Sequence, residues 1–200
     1  ANWGGAALDP TTNFLYVRTS EGGTPNQVCA IDPNVQDVDV PYTNNCARGA
    51  SPGIFQGLDG YVPIERSPLG PIPLIKPPYA RLVAIDLNAG DIAWSVPFGE
   101  GSRVMRNHPL LRDADLPDRL GTRGANGPMV TAGGLVFLGG GDPYLYAFDA
   151  DTGRELYRVP TAFRTSGNPM SYRSRAGKQF ILIATGAGPD ASLVAFSLPD

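Results

Sequence analysis

The chain has very little of what most metal and nucleophile chemistry requires: one histidine and two cysteines among 200 residues. A single histidine, His108, excludes multi-histidine metal sites. A lone histidine also leaves little for a serine triad. Cys-x-x-Cys-His is missing, so no covalent c-type haem is carried here. Glycine-rich text does occur in "GGLVFLGGG" (133–141), but no Gly-x-Gly-x-x-Gly opens a helix and no Walker lysine follows, which points away from a nucleotide site. A net charge of -3 without any Lys/Arg run gives no electrostatic footprint for nucleic acid. No apolar run reaches the roughly 18 to 20 residues of a spanning helix, and no signal-peptide layout is visible.

Glycine and proline, by contrast, are abundant, at 25 and 20 residues. That content opposes helix and suits many short strands joined by turns, so the expected fold class is all-β. "LVAIDLNAGDIAW" (82–94) aligns with "LYAFDADTGRELY" (145–157), placing Ala84, Asp86, Gly90 and Trp94 on Ala147, Asp149, Gly153 and Tyr157. Each copy reads as an alternating strand, a tight turn closed by Asp and Gly, and a second strand ending in an aromatic. The small alanine lets neighbouring layers approach closely, and the aromatic is placed to fill the gap between them. "LVAFSLPD" (193–200) is a truncated third copy, and a strand pair precedes each copy.

Repeating four-stranded units are blades of a β-propeller. The expected organisation is a first blade over 1–19 and 80–98, a long insertion over 20–79, and a connection over 99–126. A second blade follows over 127–160, and an incomplete last one, without its outer strand, over 165–200. Fewer than four blades cannot close a ring, and the opening "NWGGAALDP" has an inner-strand pattern. The chain is therefore expected to be the C-terminal part of a longer propeller, dependent on the remainder for stability. A self-pairing stand-alone subunit is the other arrangement. The insertion, with "SPLGPIPLIKPPY" (67–79), has too much proline and glycine for regular structure, and either caps a site or is decoration. Cys29 and Cys46 enclose a loop that a disulfide would stabilise by roughly 3 kcal/mol. They read either as such a bridge, which fits an oxidising periplasmic or extracellular compartment, or as two unrelated thiols.

"NWGGAALDPTTNFLYV", "GPMVTAGGLVFLGGGDPYLYAFDADTGRELY", "GKQFILIATGAG" and the ending "LVAFSLPD", in this order, resemble the C-terminal blades of pyrroloquinoline-quinone (PQQ)-dependent dehydrogenases, nearest the glucose/quinate type. The resemblance covers most of the chain outside the two long connections. It implies an eight-bladed propeller with PQQ across a central funnel beside calcium, hydride removal from an alcohol or aldose, and electron transfer to ubiquinone or a cytochrome. Asn2 is then a cofactor contact, its amide facing quinone oxygens that gain negative charge, and Trp3 lines the pocket. Asn126 and Gly127 are further candidates for the same funnel. The family's catalytic aspartate, calcium ligands and ring-stacking tryptophan have no counterpart in this chain, so it is expected to be inactive alone. Ala125 stands where the alcohol-oxidising branch carries an aromatic, which favours a sugar or polyol substrate.

Bland readings accompany these. Asn2 reads also as a turn residue bonding its own backbone, and Trp3 as packing between blades. His108, in a loop beside proline, is expected at the surface, the alternative being a place in the funnel. "DADTGRE" (149–155) evokes a calcium loop but lacks its twelfth-position glutamate, so it is read as a hairpin turn. Asp113, Asp115 and Asp118, alternating with Arg112 and Arg119, read as a solvated loop with surface ion pairs. The rival to the enzyme is a non-catalytic propeller that scaffolds protein assembly with the same hairpin repeat.

Overall fold

A computed structural model describes residues 4–22, 29–31, 42–43 and 75–199. The chain divides into two compact units, Ala1–Glu21 with Lys76–Asp200, and Gly22–Ile75. In the first, β1 (Ala6–Asp9) and β2 (Phe14–Ser20) form an antiparallel hairpin. Within the second unit, β3 (Cys29–Ala30) pairs antiparallel with β4 (Tyr42–Thr43). This short pair is regular structure where proline and glycine content led us to expect none. The expected disulfide involves Cys46, which lies outside the described residues, as do Asn2 and Trp3.

Back in the first unit, β5 (Ala80–Asp86) and β6 (Asp91–Pro97) complete a four-stranded sheet of order β1-β2-β5-β6. A second sheet follows from β7 (Met129–Val130), β8 (Leu135–Gly139), β9 (Tyr144–Asp149) and β10 (Glu155–Pro160), again in sequential antiparallel order. The third comprises β11 (Met170–Arg173), β12 (Gln179–Thr185) and β13 (Ser192–Phe196). The expected all-β class with sequential antiparallel sheets is what forms. Among the described residues no helix is long and apolar enough to cross a membrane.

Turn chemistry explains where the strands reverse. Asp86 Oδ1 accepts the Asn88 and Ala89 amides at 2.8 and 3.2 Å, and Asp149 Oδ1 accepts the Thr152 amide and hydroxyl at 2.9 and 2.7 Å. The following glycines, Gly90 (φ 72°) and Gly153 (φ 71°), take the left-handed conformation that closes each turn. Asp9 does the same for the β1–β2 turn, accepting the Thr11 amide at 2.9 Å and its hydroxyl at 2.6 Å. "DADTGRE" is thus a structural turn.

Central strands are buried on both faces: Tyr16, Val17 and Arg18 in succession on β2, and Leu145 to Phe148 on β9. Such strands require a neighbouring sheet on each side. The core accordingly joins the first two sheets, with Tyr16, Leu82 and Ala84 meeting Val136, Leu138, Tyr146 and Phe148. Ala84 and Ala147 are both buried, as the repeat requires for close approach. Trp94 reaches across from β6, its indole N–H donating to Ala150 C=O at 3.0 Å while its ring lies against Gly153. Its repeat partner Tyr157 is 66% exposed, so only the tryptophan fills a gap among the described residues.

The connection between the first two sheets folds over on itself. A single helical turn, α1 (Arg103–Arg106), runs into a 3-10 turn at Pro109–Leu111. Arg106 ties the segment together by donating to the C=O groups of Glu100, Pro117 and Asp118. His108 sits between the two turns, its backbone bonded to Met105 and Leu111, and is only 4% exposed, contrary to the expected surface position. Arg112, Asp113, Asp115 and Asp118 are exposed as expected. Arg119 instead leaves its neighbours and forms a bidentate pair with Glu155 on β10 at 2.7 and 3.1 Å.

Leu138→Ala should lower the unfolding free energy by about 2–5 kcal/mol through lost burial and a cavity at the sheet interface, measured by denaturant titration. The Thr152 hydroxyl and then its amide hold the Asp149 carboxyl below its ordinary value. The stabilisation this represents is complete above the ordinary carboxylate value and is lost as pH falls through the lowered one. In Thr152→Ala the Asp149 titration midpoint, followed by carboxyl carbon NMR, should move upward.

Candidate functional site

The innermost strands β1, β7 and β11 all begin at the same end of the first unit, and the residues just before them are bound to one another. Gly4 and Asn126 form a parallel bridge. Asn168, two residues before β11, donates its amide to Gly4 C=O at 2.8 Å and accepts the Gly127 N–H at 2.8 Å. One side chain therefore links the starts of three sheets. The backbones meet too closely for side chains: a Cβ on Gly4 would overlap the Ala125 C=O, and one on Gly127 would overlap the Gly4 C=O.

Beneath this seam lies a buried polar cluster. Arg18 on β2 is 4% exposed and donates to Thr122 C=O at 2.6 Å, Gly140 C=O at 3.0 Å and Gly139 C=O at 3.3 Å. Its guanidinium lies over the Phe98 ring at 4.7 Å. Desolvation lowers its pKa to about 10, with Asp142 pulling the other way, so it stays protonated at neutral pH. Asp142 accepts the Tyr146 hydroxyl at 2.7 Å, the Thr122 hydroxyl at 3.1 Å and the Glu100 N–H at 3.3 Å. Burial, reinforced by that carboxylate, pushes the Tyr146 phenol far above its ordinary value. Thr165, also buried, accepts the Gly140 N–H and donates to Asp142 C=O.

Of the sequence candidates, Asn126 and Gly127 are brought together at the seam, with Asn126 half-buried and Gly127 buried. The Gly127 N–H is committed to Asn168. The Asn126 amide makes no hydrogen bond among the described residues, while its Oδ1 packs against Gly140. Asn2 and Trp3, which directly precede Gly4, lie outside the described residues. Sequence reasoning missed Asn168, although "NPM" at 168–170 parallels "NGPM" at 126–129. It also missed Arg18, whose signal is a lone cation inside the apolar strand "FLYVRTS".

Chemically, the seam offers an amide that makes no side-chain hydrogen bond among the described residues, with a buried cation close to its oxygen. No group of three or more His, Cys, Asp or Glu able to hold a metal occurs among the described residues.

The family model described as PQQ: glucose/ethanol/alcohol dehydrogenase, beta-propeller domain, matches residues 1–181. A probable quinate dehydrogenase (quinone) of Xanthomonas campestris pv. juglandis is 34% identical over all of this chain and 26% of its own length. The quinate/shikimate dehydrogenase (quinone) of Acinetobacter baylyi is 34% identical over 92% of this chain and 23% of its own. Quinoprotein glucose dehydrogenase A of Acinetobacter calcoaceticus is 26% identical over 99% of the chain and 25% of its own. Among solved structures, the quinohemoprotein alcohol dehydrogenase from Comamonas testosteroni superposes with TM-score 0.52 at 22% identity, covering 92% of this chain and 22% of that one, a likeness of fold. The chain spans about a quarter of the length of the curated relatives it matches.

Removing the Asn168 side chain unties three backbones at once. Asn168→Ala should speed hydrogen exchange at the Gly127 amide and cost about 1 kcal/mol, read by NMR exchange and thermal unfolding.

Proposed function

Since the chain belongs to the glucose/ethanol/alcohol dehydrogenase β-propeller family, we propose that it forms one wall of a PQQ site in an enzyme that oxidises an alcohol group of a sugar or polyol. The observation that carries this reading is the Asn126 side-chain amide, placed at the seam by the Gly4–Asn126 bridge, with its Oδ1 against Gly140 and no side-chain hydrogen bond among the described residues. Its N–H is a donor fixed in place before any ligand arrives, the arrangement that stabilises an oxygen on which negative charge builds up. Gly4 and Gly127 serve by having no side chain, so that the two strand starts can lie main chain against main chain and hold Asn126 at the seam. Asn2 and Trp3, immediately before Gly4, extend the same wall in this reading.

When bound, PQQ with its calcium supplies a two-electron acceptor for the hydride of an alcohol carbon. This chain's residues orient that group and shield it; they do not take the substrate proton. The nearby carboxylate, Asp142, is buried, and its Oδ2 accepts from Tyr146, Thr122 and the Glu100 N–H. The base and calcium ligands are proposed to come from the remainder of the propeller, so this segment is inactive by itself. A periplasmic enzyme passing electrons to ubiquinone or a cytochrome completes the proposal. The quinate-dehydrogenase relatives at 34% identity fit a polyol substrate.

The test is a titration of the whole metal-loaded apo-protein containing this segment with PQQ, followed by absorbance and calorimetry. Asn126→Ala should weaken binding about tenfold, or about 1.4 kcal/mol, without lowering the melting temperature of the apo-protein. Failure of the folded wild type to bind PQQ would overturn the reading and leave a scaffolding propeller as the better account.

A further inference from the structure

The Arg18 cluster is an unusual way to close a sheet interface. A buried cation held mainly by carbonyls is costly to desolvate, and a well-packed apolar group at such a position is often as stable or more so. Arg18 Nε and Asp142 Oδ1 also have no hydrogen-bond partner among the described residues. Stability alone does not account for the arginine, so the question is what its geometry controls.

Its three carbonyl partners come from two segments: Thr122 in the strand of connection leading to β7, and Gly139 and Gly140 at the exit of β8. Thr122 lies four residues before Asn126. Between them, Gly124 runs so close to the guanidinium that a Cβ there would come within 2.6 Å of Nη2 and 2.9 Å of Nη1. At Gly140 (φ 113°) a Cβ would stand 2.3 Å from Asn126 Oδ1 and 2.7 Å from Arg18 Nη1, so the amide oxygen and the guanidinium face the same side of this glycine. Cation and amide oxygen are therefore neighbours over one bare glycine. A guanidinium at that range attracts the carbonyl end of the Asn126 amide and repels its NH2 end, which leaves the N–H groups directed away from the protein interior.

We infer that Arg18 is a positioning residue that fixes the register of the 122–127 segment and the orientation of the Asn126 amide toward the bound cofactor. This rests on the PQQ reading above and adds a residue in another strand, more than a hundred positions away, that acts through Asn126. Lysine cannot replace it, because an ammonium lacks the planar fork that holds carbonyls of two segments at once.

A double-mutant cycle on the whole protein tests this, with PQQ affinity of the metal-loaded apo-protein as the readout and melting temperature as the check on folding. Arg18→Lys should weaken PQQ binding about tenfold in the wild-type background and less than about twofold in Asn126→Ala, since its effect runs through that amide. Should Arg18→Lys not fold, Gly124→Ala, whose new methyl displaces the guanidinium without removing its charge, is expected to show the same non-additivity. Unchanged affinity in a folded variant, or losses that simply add to that of Asn126→Ala, would overturn the role of Arg18 while leaving the PQQ site standing. No binding by wild type would overturn both.

Discussion

A β-sheet whose central strands are apolar on both faces has to be covered twice, and this requirement organises the first unit. Tyr16, Val17 and Arg18 on β2 and the run Leu145 to Phe148 on β9 have no water-facing side. Stacking the sheets face to face is the solution, and it dictates the rest. Alanines at 84 and 147 set the spacing, Trp94 closes the outer gap against Gly153, and the inner strands are brought near enough for Gly4 and Asn126 to bridge. The third sheet, with β11 exposed throughout and Leu193 at 69% exposure, is covered less completely among the described residues.

Close stacking also explains why the inner end is polar. Where sheets converge, strand ends leave backbone groups that neither sheet can pair, and burying them unpaired costs about 1–3 kcal/mol each. Arg18, Asn168 and Thr165 meet this need: one satisfies three carbonyls, one bridges Gly4 and Gly127, and one serves both the N–H of Gly140 and the C=O of Asp142. The same side chains that complete the backbone pairing thereby fix the positions of the residues facing the inner end. Scaffold and site are one set of hydrogen bonds here.

This division sets what could be read from the sequence. The hairpins were legible because their determinants are local: Asp86 and Asp149 bond amides two or three residues on, and Gly90 and Gly153 follow at a fixed offset. Asn126 and Gly127 stood out only for their place at the start of a strand, and both lie at the seam with Gly4 and Asn168. Arg18 was not legible, since its partners lie 104 to 122 positions away, and a strand pattern alone does not say that both its faces are covered. Asn168 left a trace in "NPM", but its two acceptor and donor groups come from sheets that sequence spacing cannot bring together. His108 shows the opposite error: a loop rich in charge and proline looked solvated, and its one histidine, between two short turns, is buried.

Glycine at the seam carries the argument one step further. Gly4, Gly127 and Gly140 are each excluded from bearing a side chain by contact with backbone or with Asn126. A wall built this way presents main chain and one amide, and its recognition depends on exact placement more than on reactive groups. Small displacements then matter disproportionately, because a hydrogen bond weakens steeply with misalignment, and an amide that has turned end for end presents an acceptor where a donor is required. A buried guanidinium beside the amide oxygen is a rigid means of preventing that turn: it is charged, held by carbonyls of two segments, and shielded from the solvent that would screen it. The cost of burying Arg18 is, on this view, the cost of a fixed amide.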